Sequence, residues 1–82
     1  MITVYPNPAR EKIIVEYAII EGWNNGQIGI YNMQGKLLVS KPINKQFGFK
    51  TMDVSGLANG NYIISVGNRG IKGFTKQISI IH

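Results

Sequence analysis

Turn-forming residues interrupt this chain about every ten residues, and only short runs fit between them. The interruptions are Pro6-Asn7-Pro8, Glu21-Gly22-Trp23-Asn24-Asn25-Gly26, Gln34-Gly35, Lys41-Pro42 with Asn44, Ser55-Gly56 with Asn59-Gly60, and Gly67-Asn68-Arg69-Gly70. Gly and Asn take the positive φ that tight turns require. The runs between them are rich in Ile, Val, Tyr, Phe and Thr, which suit a pleated surface. No run carries an apolar stripe at helical spacing. The chain is therefore expected to be all-β, with about seven strands near 2–5, 12–18, 27–33, 36–41, 48–54, 61–67 and 71–81.

Alternation within the runs assigns faces. Ile28 and Ile30 share one face, opposite Gln27, Gly29 and Tyr31. Tyr62, Ile64 and Val66 share another, opposite Ile63 and Ser65. Phe74, Ile78 and Ile80 align, opposite Thr75, Gln77 and Ser79. Lys76 falls in the apolar phase of that last strand. Either its head snorkels outward along its own stem, or a bulge shifts the register there. Gln34-Gly35 reads as a two-residue hairpin connection between the third and fourth strands.

Short antiparallel strands at this spacing point to an immunoglobulin-like antiparallel β-sandwich of about seven strands. A small closed barrel is the alternative. In Leu57-Ala58-Asn59-Gly60-Asn61-Tyr62, the tyrosine opens the penultimate strand. Its ring could fold over the corner and its hydroxyl bond backbone upstream, with Leu57 plugging the corner and Gly60 supplying the turn. Otherwise Tyr62 is a strand aromatic with a wet hydroxyl. At the head of the chain, Pro6 and Pro8 each remove a donor and push Tyr5 and Asn7 into extended conformations. That excludes helix and a central strand there, and leaves a stiff lead-in along an edge.

At 82 residues the chain is expected to form one domain, compatible with a reducing cytosol and equally with having been part of a larger secreted protein. It holds no cysteine, so packing alone must stabilise it. No apolar run is long enough to span a bilayer, and no basic region followed by an apolar stretch marks a signal peptide. Nine Lys and Arg stand against four Asp and Glu, a formal net charge of +5. The basic residues are scattered, and the ordinary expectation is a solvated face.

Catalytic chemistry finds few groups to use. His82 is the only histidine and the last residue, where fraying is expected. Without cysteine or a second histidine, zinc ligation is not expected, and a serine triad lacks a base. The three Glu residues are spread among solvent-facing and turn positions, which argues against a paired-carboxylate site. The glycine-rich stretch from Gly67 to Gly73 joins two strands and opens no helix, so it reads as a hairpin rather than a phosphate cradle. The expectation is a non-enzyme with no cofactor. Trp23 is left open between loop packing and ligand contact. Tyr31, Phe47 and Phe49 are expected to fill the core. Phe47-Gly48-Phe49-Lys50 is a weak approach to a nucleic-acid platform, so no nucleic-acid partner is expected.

Four segments line up: Val4-Tyr5-Pro6-Asn7-Pro8-Ala9, Ile30-Tyr31-Asn32-Met33-Gln34-Gly35-Lys36, Met52 through Tyr62, and Lys76-Gln77-Ile78-Ser79-Ile80-Ile81. In this order and spacing the chain resembles the type A C-terminal sorting domain of the type IX secretion system of Bacteroidetes. The Tyr-Pro-Asn-Pro opening and the Leu-x-x-Gly-x-Tyr block are specific together. One departure is the end: members commonly finish on a short apolar and basic run, whereas here His82 follows Ile81.

The resemblance implies a sorting and translocation signal at the C-terminus of a cargo that reaches the periplasm by an ordinary signal peptide. An outer-membrane translocon recognises it, a C-terminal signal protease at the surface removes it, and the cargo is released or joined to lipopolysaccharide. The last strand, with Ile78 and Ile80, is expected to offer a free edge to a partner's sheet. Pro6 and Pro8 would blunt the opposite end, and Lys36, Lys72 and Lys76 would give an orienting positive field. Gly35, Lys36, Leu57, Gly60 and Tyr62 serve folding alone on one reading and recognition on the other. A carbohydrate-binding or spacer module of a secreted enzyme is the competing function, since fold does not fix function.

Overall fold

The structure, a computed structural model, describes residues 2–18, 26–43, 47–68 and 71–82, with backbone alone at 68, 71 and 72. Seven strands follow in order: β1 (Ile2–Tyr5), β2 (Lys12–Ala18), β3 (Gly26–Tyr31), β4 (Leu37–Ile43), β5 (Phe47–Asp53), β6 (Gly60–Asn68) and β7 (Ile71–Ile80). They form a three-stranded sheet, β1-β2-β5, and a four-stranded sheet, β4-β3-β6-β7. All strand pairs are antiparallel. Two separate sheets make a sandwich rather than a closed barrel.

Alternation builds the core between the sheets. Ile13, Val15, Met52 and Val54 come from the three-stranded side, and Ile28, Ile30, Ile64, Val66, Ile78 and Ile80 from the other; all are fully buried. At about 25 cal/mol per Å² of apolar surface, each such side chain contributes roughly 1.5–3 kcal/mol on burial. No buried polar or charged side chain occurs among the described residues. The face assignments for β3, β6 and β7 hold, with Tyr62, Ile64 and Val66 inside and Phe74 half-buried.

Four details differ from the sequence expectation. First, β4 runs on through Pro42 to Ile43. It has a hydrogen-bonded neighbour on one side only, so a residue without an N–H is tolerated there. Second, Lys76 pairs with the fully buried Ile64 but is itself exposed, and the register runs unbroken from Phe74 to Ile80. Its head therefore snorkels; the shift in the β6–β7 ladder lies elsewhere, between Val66 and Gly67. A second shift, between Ile30 and Tyr31, marks the β3–β4 pair.

Third, the turn after β3 is wider than two residues. Asn32 N–H donates to Lys36 O (3.0 Å) and Gly35 N–H to Asn32 O (3.0 Å). The Asn32 carboxamide oxygen accepts from Gln34 N–H (3.0 Å) and Lys36 N–H (2.9 Å). Gly35 sits at φ 89°, which a side chain rarely tolerates. This is a type I turn followed by a left-handed glycine, the usual three-residue hairpin.

Fourth, Phe47 and Phe49 do not enter the core; they are 74% and 68% exposed. Met52 and Val54 fix the inward phase of β5, and the alternate phase carries Phe47, Phe49, Thr51 and Asp53 outward. Gly48 and Lys50 take the inward positions. Trp23 lies outside the described residues.

Candidate functional site at the clasped end of the last strand

The register brings the four sequence motifs to one end of the sandwich. Tyr31, just before the Asn32 turn, pairs with Ile63, and Ile63 with Gln77. Gly60 opens β6 opposite Ile80. The Met52–Tyr62 segment leads from the end of β5 into that same start of β6. At the head of the chain, Tyr5–Pro6 and Asn7–Pro8 are cis peptide bonds, and the segment then crosses from the edge of one sheet to the edge of the other.

There it grips the last strand. Ser79 N–H donates to the Asn7 carboxamide oxygen (3.0 Å). Ala9 N–H donates to Ser79 O, and Ile81 N–H to Ala9 O, both at 2.8 Å. Ala9 and Ile80 form a parallel bridge, and both are fully buried. Pro6 and Pro8 frame this clasp. The edge expected to be free at the last residues is therefore occupied, and the prolines belong to the segment that occupies it instead of blunting an opposite end. The reason is backbone satisfaction: Ser79 turns its N–H and C=O away from β6, and buried or half-buried amides find partners. Further along β7 the same phase leaves the outward amides of Thr75 and Gln77 uncovered among the described residues.

The corner completes the end. Tyr62 is 7% exposed, and its hydroxyl donates to Ala58 O at 2.6 Å. That is the tyrosine corner the sequence suggested. Leu57 is half-buried against the core, its N–H donating to Val54 O (3.1 Å). Gly60 has φ 156° at the strand's first residue. Contrary to the expected fraying, His82 is held here: its N–H donates to the Asn59 side chain (3.0 Å) and its Nε2 to Leu57 O (2.6 Å). Ser79 Oγ–H donates to Asn61 Oδ1 (2.9 Å).

The remaining sequence candidates fall apart from this cluster or act through backbone. Gly35 and Lys36 shape the Asn32 turn; the Lys36 ammonium is exposed. Gly35 also borders a shallow depression of about 270 Å³ with Tyr31, Ile63 and Thr75. Lys72 pairs with Gly67 through its backbone, and its side chain lies outside the described residues. Ile78 and Ile80 point into the core and cannot touch a partner. Sequence reasoning missed Asn32, Asn59 and Asn61, whose carboxamides organise the end; asparagine beside a turn glycine was the available signal for Asn59 and Asn61, and asparagine at the first position of a turn for Asn32.

Titration behaviour is modest. Asp53 accepts from Ser55 Oγ–H (2.6 Å) and N–H (2.9 Å). Those two bonds hold its carboxyl below the usual range, with help from Lys12 and Lys41. The Tyr5 hydroxyl donates to Glu16, which raises the phenol above its ordinary value. Among the described residues no group of three or more His, Cys, Asp or Glu could hold a metal. The arrangement offers shape, amides and carboxamides.

A family model described as a secretion system C-terminal sorting domain matches residues 3–81. The chain belongs to that family. No curated protein matches it. The sorting domain is a C-terminal signal for type IX secretion. It is attached to a cargo protein, is recognised by the type IX machinery, and directs secretion to the cell surface or the extracellular space. No helix among the described residues is long and apolar enough to cross a membrane.

Proposed function

We propose that the sorting domain works as a folded label with no chemistry of its own, read at the clasped end. The observation that carries this is the convergence of the four motif segments at that end, with the first and last pinned together by Asn7, Ala9 and Ser79. Residues 1–82 form the single domain that closes a longer secreted protein, whose cargo lies ahead of it. The cargo reaches the periplasm first. The outer-membrane translocon then engages the folded end, and the C-terminal signal protease cuts ahead of β1 once passage is complete.

The reading has a physical logic. A terminal strand is the last part of a chain to be made and the easiest to fray. Holding it from both sides, by β6 and by the clasp, gives one defined surface only when folding is complete. A translocon that recognises this surface selects finished domains. Lys36 and Lys76 add positive charge to the approach.

The test is delivery of a periplasmic reporter fused ahead of residues 1–82, in hosts with and without a working translocon. Surface delivery should require both the translocon and residues 77–82. Delivery without the translocon would refute the reading. So would delivery by a truncated domain that still folds.

A further inference from the structure

The edges of the two sheets are not equally guarded. β1 is four residues long and ends at Tyr5, just before Pro6. β4 carries Lys41 and Pro42. β7 is clasped at Ser79 and Ile81. Short strands, prolines and covering segments are how sheets avoid unwanted pairing. β5 has no proline, is seven residues long and carries no covering segment among the described residues; its own guard is the inward-phase Lys50, which acts by charge. Val54 N–H donates to Glu11 O at 2.7 Å, and the β2–β5 register continues that pairing through Met52, Lys50 and Gly48. Even-numbered residues of β5 therefore face β2, and Phe47, Phe49 and Thr51 turn their amides to the open edge. Lys41 Nζ–H reaches that edge and donates to Thr51 O at 2.8 Å. Nothing among the described residues covers the amides of Phe47 and Phe49, and their rings stand exposed on the outer face.

We infer that the edge of β5 is an interaction surface for an extended segment of a partner protein in which acidic and apolar residues alternate. Main-chain bonding to Phe47 and Phe49 would supply affinity, as in other strand additions. Charge sets the choice of partner. Lys50 sits in the inward phase of an edge strand and is half-buried, and a lysine there extends its head past the edge. Lys41 stands at the same edge. The nearby acids, Glu16 and Asp53, keep their charge while accepting from Tyr5 and Ser55, but both lie in the outward phase, on the face opposite to the inward-phase Lys50. Two lysines at one edge repel a second copy brought up edge to edge, and they attract carboxylates on the inner phase of an incoming strand. The outer phase of that strand would lie beside the two phenyl rings, where aromatic and β-branched side chains pair well.

The experiment uses the whole chain and two short synthetic peptides, one alternating Val and Glu, the other alternating Val and Lys. Binding is followed by amide chemical shifts and hydrogen exchange. The Val/Glu peptide should protect the Phe47 and Phe49 amides, and the Val/Lys peptide should not. Phe49→Ser should weaken binding roughly tenfold, the size of one interface side chain, with the melting temperature unchanged because the ring is exposed. Lys50→Glu should shift preference toward the Val/Lys peptide, a reversal that loss of folding could not produce. Equal binding of both peptides, or none by the acidic one, overturns the inference. So does protection at Thr75 and Gln77 in place of β5, which would make β7 the receptor edge. A concentration-dependent dimer that protects Phe47 and Phe49 without peptide would identify a second copy as the occupant. Secretion is not read in any arm, so this result and the sorting test stand or fall separately.

Discussion

Ile80 and Phe49 are both large apolar residues on edge strands, and the structure treats them oppositely. Ile80 lies under the clasp, fully buried, while Phe49 is 68% exposed. The side chains differ by phase, Ile80 pointing inward from β7 and Phe49 outward from β5; the backbone edges beside them differ because of a neighbour distant in sequence. The Asn7–Ala9 segment bonds the outer side of β7 at Ser79 and Ile81, and nothing comparable among the described residues bonds the amides of Phe47 and Phe49 on β5. An edge is therefore hidden or offered according to what the rest of the chain lays along it, more than by its own residues.

Ile80→Ala should cost about 2–5 kcal/mol, the range for deleting a buried aliphatic side chain. Phe49→Ala should stay within roughly ±0.5 kcal/mol, as for most surface changes. Urea midpoints for the two variants check both. Equal losses would mean that inward and outward phase do not set the burial of these two side chains.

Next comes the corner beneath the clasp. Tyr62→Phe removes the bond to Ala58 O and should cost about 1 kcal/mol. An unchanged denaturation midpoint would show the hydroxyl to be wet. Asn7→Ala is smaller, because the site is exposed: roughly 0.5–1 kcal/mol. Its clearer signature is local. The Ser79 amide should exchange faster, while Ile78, bonded within the β6–β7 ladder, should keep its protection. Parallel acceleration of both amides would show that the clasp and the strand open as one unit.

Much of this was legible in the chain. Period-two alternation placed Ile28, Ile30, Ile64, Val66, Ile78 and Ile80 correctly, because each strand has one buried face. The tyrosine corner was legible because its parts are local: Ala58 and Tyr62 are four residues apart. The clasp was not, since Asn7 and Ser79 are separated by 72 positions and no local pattern reports a contact of that range. β5 was misread for a different reason. Its outward phase carries Phe47 and Phe49, and its inward phase carries Gly48 and Lys50, so apolarity pointed the wrong way. Lys76 posed the same problem in β7, and the pair suggests a common device: an inward-phase lysine on an edge strand, which discourages pairing with like-charged copies.

The smallest effect tests the far end of β5. The Ser55 hydroxyl and N–H both stabilise ionised Asp53, and Lys12 and Lys41 add to it, so its folded pKa is below the unfolded value. The sign follows from linkage: a depressed carboxyl contributes stability above its unfolded pKa and loses it as pH falls through the folded pKa. Wild-type stability should therefore decline below about pH 4, the ordinary aspartate range, by more than that of Asp53→Asn. The gap should be small, because the group is fully exposed and screened by salt. Lys41 has two partners here, the Thr51 carbonyl and the Asp53 charge. If Lys41→Met leaves the acid response of Asp53 unchanged but increases exchange at the Phe49 amide, the lysine acts chiefly as a cap on the open edge. If it moves the acid response and not the exchange, Lys41 is a counter-ion, and the edge of β5 is even more open than its geometry suggests.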